Sequence, residues 1–170
     1  MNENTILKDL RHDAHEGSLR YKGVRYLLIR PETIVGFQKA IEGSTGEGQC
    51  EALYKGGFDG GYLSSKNYRE IHGFTELEVL DFMARMGGEI GWGRFKIERY
   101  DPNTRALEVS VTASPFAEAY GESAHPVCHL IRGIVAGMGS ALLGIKCDAV
   151  ETACSAMGAD RCLFNLIVGY

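Results

Sequence analysis

No long apolar run occurs in this chain of 170 residues. The longest candidate, near Val127–Leu143, is broken by His129 and Arg132 and is rich in glycine, so no membrane span is expected. No run of Lys or Arg occurs either. Basic residues number 18 against 22 acidic ones, and the net charge of −4 gives no electrostatic footprint for nucleic acid or anionic lipid. The opening residues Met1–Asp9 are polar and mixed in charge, without the apolar stretch of a secretory leader. The expected location is therefore the cytoplasm, where thiols stay reduced. Five cysteines, an odd number, argue against a complete disulfide framework. Nucleotide and nucleophile motifs are missing too: no P-loop, nucleophile elbow or H-E-x-x-H, and Gly137-Met-Gly139 falls inside a predicted helix, not after a strand. No catalytic residue is nominated.

What is present reads as one α+β domain over 1–170, an antiparallel sheet with helices packed against it. Residues 1–16 form a short helix or arm, 17–92 a helical half, and 93–170 a region of strands around one long helix. Ser18–Tyr21 and Val24–Arg30 read as a hairpin around Lys22-Gly23. Pro31-Glu32-Thr33 opens a helix whose predicted buried face is Ile34, Val35, Phe37 and Ile41. From Gly46 to Gly73, apolar residues recur at helical spacing but are interrupted by Gly56-Gly57 and Gly60-Gly61, which predicts a glycine-notched helix. Thr75-Glu-Leu-Glu78 is a capping box, with Leu77, Leu80, Met83 and Ala84 as the stripe behind it. Phe95–Glu98 and Leu107–Thr112 alternate around the turn Asp101-Pro-Asn-Thr104, predicting a hairpin. A helix is expected from His125-Pro126, with Gly133 and Gly137 four apart as a notch for a neighbouring backbone, within this chain or in a second copy. Strands Ile145–Thr152 and Cys162–Gly169 follow.

The chemistry is concentrated in Cys128, Glu151, Cys154 and Cys162. Thiolates with a carboxylate suit zinc, and four protein ligands make a closed, structural site. Glu151 and Cys154 are three apart, which in a regular strand puts them on opposite faces. Convergence therefore requires a bulge, or a strand that ends before Cys154. Three such thiolates with Glu151 would carry excess negative charge, for which Arg161 and Lys146 are the nearest candidate donors. The competing reading is that cysteine is simply among the most buried residue types; Cys50 and Cys147 are read that way. His125 and His129 flank Cys128 as alternative ligands or packing residues. In the helical half, Phe37, Phe58, Tyr62, Phe74, Phe82 and the lone Trp92 are the pool from which an apolar ligand pocket, or an ordinary core, would be built. Phe37, Phe58, Tyr62, Phe82 and Trp92 are the pocket candidates.

Five stretches together resemble the 4-vinyl reductase domain family, from about Gly93 to Val168. They are Gly93-Arg-Phe-Lys-Ile-Glu-Arg-Tyr-Asp-Pro102, Ser114-Pro-Phe-Ala-Glu-Ala-Tyr-Gly121, Pro126-Val-Cys-His129, Val150-Glu-Thr-Ala-Cys-Ser-Ala-Met-Gly158 and Cys162-Leu-Phe164. Leu28-Ile-Arg-Pro-Glu-Thr33 resembles the family's N-terminal extension. The resemblance implies kinship with the sensor domains of bacterial transcription activators that respond to aromatics. It also implies a fold like that of nitric-oxide-signalling domains and of small Golgi transport subunits. It implies a structural zinc held by Cys128, Glu151, Cys154 and Cys162, an enclosed pocket for a small hydrophobic ligand, and a homodimer. The alternatives it leaves are an enzyme or accessory of vinyl-group reduction in tetrapyrrole metabolism, and a scaffold subunit.

Overall fold

The computed structural model describes residues 3–46 and 50–168. A short helix α1 (Thr5–Asp9) leads into a small antiparallel sheet in which β2 (Ser18–Tyr21) lies between β1 (Arg11–Asp13) and β3 (Val24–Tyr26). Three helices follow: α2 (Pro31–Thr45), α3 (Glu51–His72) and α4 (Glu76–Glu89). The second sheet has the order β4-β5-β7-β6, antiparallel throughout, from β4 (Arg94–Asp101), β5 (Ala106–Thr112), β6 (Cys147–Ala153) and β7 (Cys162–Val168). Between β5 and β6 the chain forms α5 (Pro115–Tyr120) and the central helix α6 (His129–Leu143).

The main core lies between the second sheet and the helices α4 and α6. Leu107, Val109 and Val111 of β5 and Phe164 of β7 meet Ile131, Val135 and Met138 of α6 and Val79 and Leu80 of α4. Side chains of this size, fully buried, each contribute roughly 1.5–3 kcal/mol. The notch predicted at Gly133 and Gly137 is occupied from within the chain. A Cβ at Gly133 would collide with the Tyr54 carbonyl, and one at Gly137 with the Phe58 carbonyl. In return, Gly57 and Gly61 of α3 leave room for the carbonyls of Leu130 and Ile134. Two backbones thus approach closely through paired glycines, and Arg69 of α3 donates to the Ala141 and Leu142 carbonyls at the far end of α6.

Several boundaries differ from the expectation. β3 stops at Tyr26, because Leu27, Leu28 and Ile29 have exposed side chains and lie beyond the paired register. In α2, Phe37 is 59 % exposed while Gln38 and Glu42 are buried, so the inward face is partly polar. The capping box of α4 is present, with Thr75 Oγ1 accepting from the Glu78 N–H at 3.3 Å. The inward residues behind it are Val79 and Leu80, and Leu77 is 67 % exposed. Helix α6 begins at His129, three residues after Pro126, because the Cys128 N–H is captured by Glu151. The predicted strand end Gly169 lies outside the described residues.

Candidate functional site: a cysteine–glutamate cluster beside an apolar cavity

The four residues of the C-terminal set come together. Their ligand atoms all lie within 4.8 Å of one another, and Cys128, Cys154, Cys162 and Glu151 are all buried. Each arrives on a different piece of backbone. Cys128 is the residue before the first turn of α6, Glu151 sits in β6, Cys154 follows the end of β6, and Cys162 opens β7. The register of β6 against β7 slips between Glu151 and Ala153, so the bulge that convergence requires is there. Beyond it, a short 3-10 turn (Ser155–Met157) closes on Gly158, whose φ of +87° is a left-handed value that suits glycine.

Two features fit a cation. The Cys128 and Cys162 sulfurs are 3.6 Å apart, close to the edge of a tetrahedron built on metal–sulfur bonds of about 2.3 Å. Glu151 Oε2 accepts the Cys128 N–H at 2.9 Å, whereas the buried Oε1 has no partner among the described residues. An unpartnered buried carboxylate oxygen is costly unless something positive meets it. The cluster can therefore hold a metal ion. The donors around it are not the basic side chains anticipated. Arg161 is exposed and acts on Glu98, and Lys146 lies along a separate open cleft. Instead Ser155 gives Cys162 both its N–H at 3.4 Å and its Oγ at 3.1 Å, and Ser114 Oγ lies 3.4 Å from Cys128 Sγ.

Four acids in one dry volume cannot all ionise without a counter-charge. Burial, reinforced by Cys154, pushes the Glu151 carboxyl up to about 8. The thiol of Cys128, hydrogen-bonded to Cys154 and Cys162, is also pushed up. Cys162 collects the donors, first Cys128 and Cys154 and then Ser155, and is lowered to about 4. In the metal-free cluster one thiolate is thus favoured at the expense of its neighbours, and a cation would release the remaining protons.

The flanking histidines stand outside the four-residue cluster. His129 is buried, with Nε2 3.6 Å from Glu42 Oε1, and burial lowers its pKa. Glu42 also accepts from Gln38 Nε2 at 2.8 Å and Tyr120 Oη at 2.7 Å. This network ties α2 to the start of α6. Sequence reasoning did not find it; the available signal was Gln38 and Glu42, four apart on the helix face that also carries Val35.

One helical turn further along α6, an apolar cavity of about 170 Å³ opens between α3, α4, α6 and the β4–β5 hairpin. Met83, Met86, Met138, Ile90, Phe95 and Trp92 supply much of its wall, and no charged residue lines it. Of the five pocket candidates, the structure places Trp92 here, edge-on to Phe116 at 5.3 Å. Phe58 lines the open cleft beside Tyr54 and Asp148 and stacks on Tyr62, which is more than a third exposed. Phe82 joins Tyr68 and Phe74 in an aromatic group on the outer side of α4, and Phe37 is exposed. The methionines went unnoticed because their sequence spacing is that of ordinary core.

With the cluster and cavity in place, the comparisons become informative. Residues 107–168 match the family model of the 4-vinyl reductase (V-4-R) domain. The matched segment contains all four cluster residues, running from β5 through α6 to β7. No curated protein matches the chain. Among solved structures, the chain is similar to the phenol-responsive sensory domain of the transcription activator PoxR, crystallised with phenol. That match has a TM-score of 0.80 at 18 % identity and covers 96 % of this chain and 86 % of that one. It is also similar to a vinyl-4-reductase family protein from Methanocaldococcus jannaschii, with a TM-score of 0.59, 18 % identity and 85 % of each chain covered. A third is a trafficking protein particle complex subunit 3 from Naegleria fowleri covalently bound to palmitic acid. Its TM-score is 0.55 at 10 % identity, covering 82 % of this chain and 95 % of that one. At these identities the likeness establishes the shared α+β fold, reaching from the family segment into the helical half. No described helix is long and apolar enough to cross a membrane.

Proposed function

We propose that this chain is a cytoplasmic sensor or binding domain for a small, neutral, hydrophobic molecule, pinned by a structural zinc and working as a dimer. The observation that carries the reading is the apolar cavity of about 170 Å³ walled by α6, the same helix whose start carries Cys128. A closed cavity of roughly 150 Å³ is enough for benzene, so the class of ligand is a single ring with small substituents. The fold shared with a phenol-responsive domain supports the same class. A tetrapyrrole is far larger than this cavity, which weighs against vinyl reduction there.

Support for the metal comes from the donor set, the unpartnered Glu151 Oε1 and the sulfur spacing. Three thiolates and a carboxylate favour zinc over harder cations. Zinc held by four protein ligands cross-links α6 to the β6–β7 connection and supplies no open position for substrate. For the dimer, the Gly133/Gly137 face is already occupied by α3, and the remaining apolar surface includes Leu27, Leu28 and Ile29.

The test is elemental analysis followed by thermal melts with benzene, phenol and larger bicyclic aromatics. About one zinc per chain and a rise in melting temperature with the single-ring compounds alone are expected. No zinc removes the clasp from the proposal. No shift with any compound removes the ligand.

A further inference from the structure

The cavity needs a way in, and its wall points to one place. Among the described residues that line it, Gly60 alone is exposed, and Ser64 lies one turn further along α3 at the same opening, half-buried. Facing them across the gap are Met83 and Ala84 of α4, both half-buried. The rest of the wall belongs to buried or half-buried residues. Gly60 differs from the other glycines on this wall. A Cβ at Gly61 would strike Ile134 and one at Gly87 would strike the Phe95 ring, so both are tight-packing positions. A Cβ at Gly60 meets nothing within 4 Å. Packing therefore does not explain a glycine at an exposed, interior position of a helix, where it is unfavourable relative to alanine.

We propose that Gly60 and Ser64 form the doorway of the cavity, a slot between α3 and α4 kept open by two minimal side chains. This rests on the reading of the cavity as the ligand site. Ligand slips past Gly60, with the flexible Met83 side chain able to yield on the opposite rim. The doorway sets how wide a ring can enter, and the deeper wall sets how tightly it is held.

The chain supplies its own reporter, because Trp92 is its only tryptophan and lines the cavity. Stopped-flow mixing with benzene or phenol, followed by Trp92 emission, gives association and dissociation rates. In Gly60→Phe both rates should fall together, on the order of tenfold, with Kd nearly unchanged. Ser64→Phe should behave likewise. Gly56→Phe is the control: Gly56 lies one turn earlier on α3, is exposed, does not line the cavity and has open space beside it. Its rates should match those of the unaltered protein. Equal rates in all four proteins would overturn the doorway while leaving the cavity's ligand intact. A loss of affinity at unchanged association rate would also overturn it, since the ring would then be filling the cavity. Absence of any emission change or melting shift in the unaltered protein would remove the ligand reading and the doorway with it.

Discussion

The two ends of one helix wall pose opposite physical problems. At the start of α6, four acidic groups crowd into a buried volume and demand a positive charge. A turn or so later, the same helix faces a void with no charge at all and only weakly polar groups. The first site is defined by atoms that must be present, the second by atoms that are missing. Stability is concentrated at the first, and room for a guest at the second.

The comparison is broken most severely at Cys162. Cys162→Ala removes the sulfur that collects the donors of Cys128, Cys154 and Ser155. Loss of bound metal and a destabilisation of about 5 kcal/mol or more are expected, read by elemental analysis and urea unfolding. Next in size is the glycine interface that holds α6 in place between the two sites. Gly137→Ala forces a methyl against the Phe58 carbonyl and should cost about 1–3 kcal/mol. Gly56→Ala on the open side of α3 should instead stabilise by up to about 1 kcal/mol. Equal effects of the two would mean that the helices do not interlock.

Acidity separates the sites further. In the metal-free protein Glu151, raised to about 8, contributes stability that is complete below pH 4.5 and is lost as pH rises through 8. Cys162, lowered to about 4, contributes stability that is complete above pH 9 and is lost as pH falls through 4. The two slopes oppose each other between those limits, so metal-free stability should be nearly flat there. Glu151→Gln removes the falling limb, and the metal-free variant should then gain stability with rising pH. Denaturant midpoints across that range check this, and a flat profile for the variant would contradict it. The metal-loaded protein should lose metal on acidification, because loading releases protons. The smallest expected effect lies in the cavity itself: Ala84→Leu should fill part of the void, raise stability by about 0.5–2 kcal/mol and abolish the thermal shift with benzene.

The same contrast explains what the sequence made legible. Capping chemistry at Thr75, the alternation of β4 and β5 and the glycine pairs of α3 and α6 each follow from local stereochemistry, so their residue types announce them. The cluster was legible because thiol and carboxylate side chains are rare in a dry core without a reason. The cavity was not, since a void depends on how far apart two helices settle, which neither α3 nor α4 encodes alone. The same limit produced the misplaced faces. Phe37 and Leu77 are apolar and periodic, but nothing arrives to cover them, whereas Gln38 and Glu42 turn inward because Tyr120 and His129 are there to meet them.

One small irregularity carries a wider lesson. The slip in β6 leaves Thr152 without a counterpart in β7, its side chain exposed and accepting from Asn165 at 2.9 Å. Along the chain Glu151 and Cys154 are three apart, yet the sheet counts them as two, because Thr152 drops out of the tally. The interval in Glu-x-x-Cys is therefore a written trace of a backbone dislocation. A scan for ligands at the even intervals of a regular strand would pass over this chain. Odd intervals between buried ligand-type residues are where folded defects leave their mark in linear text.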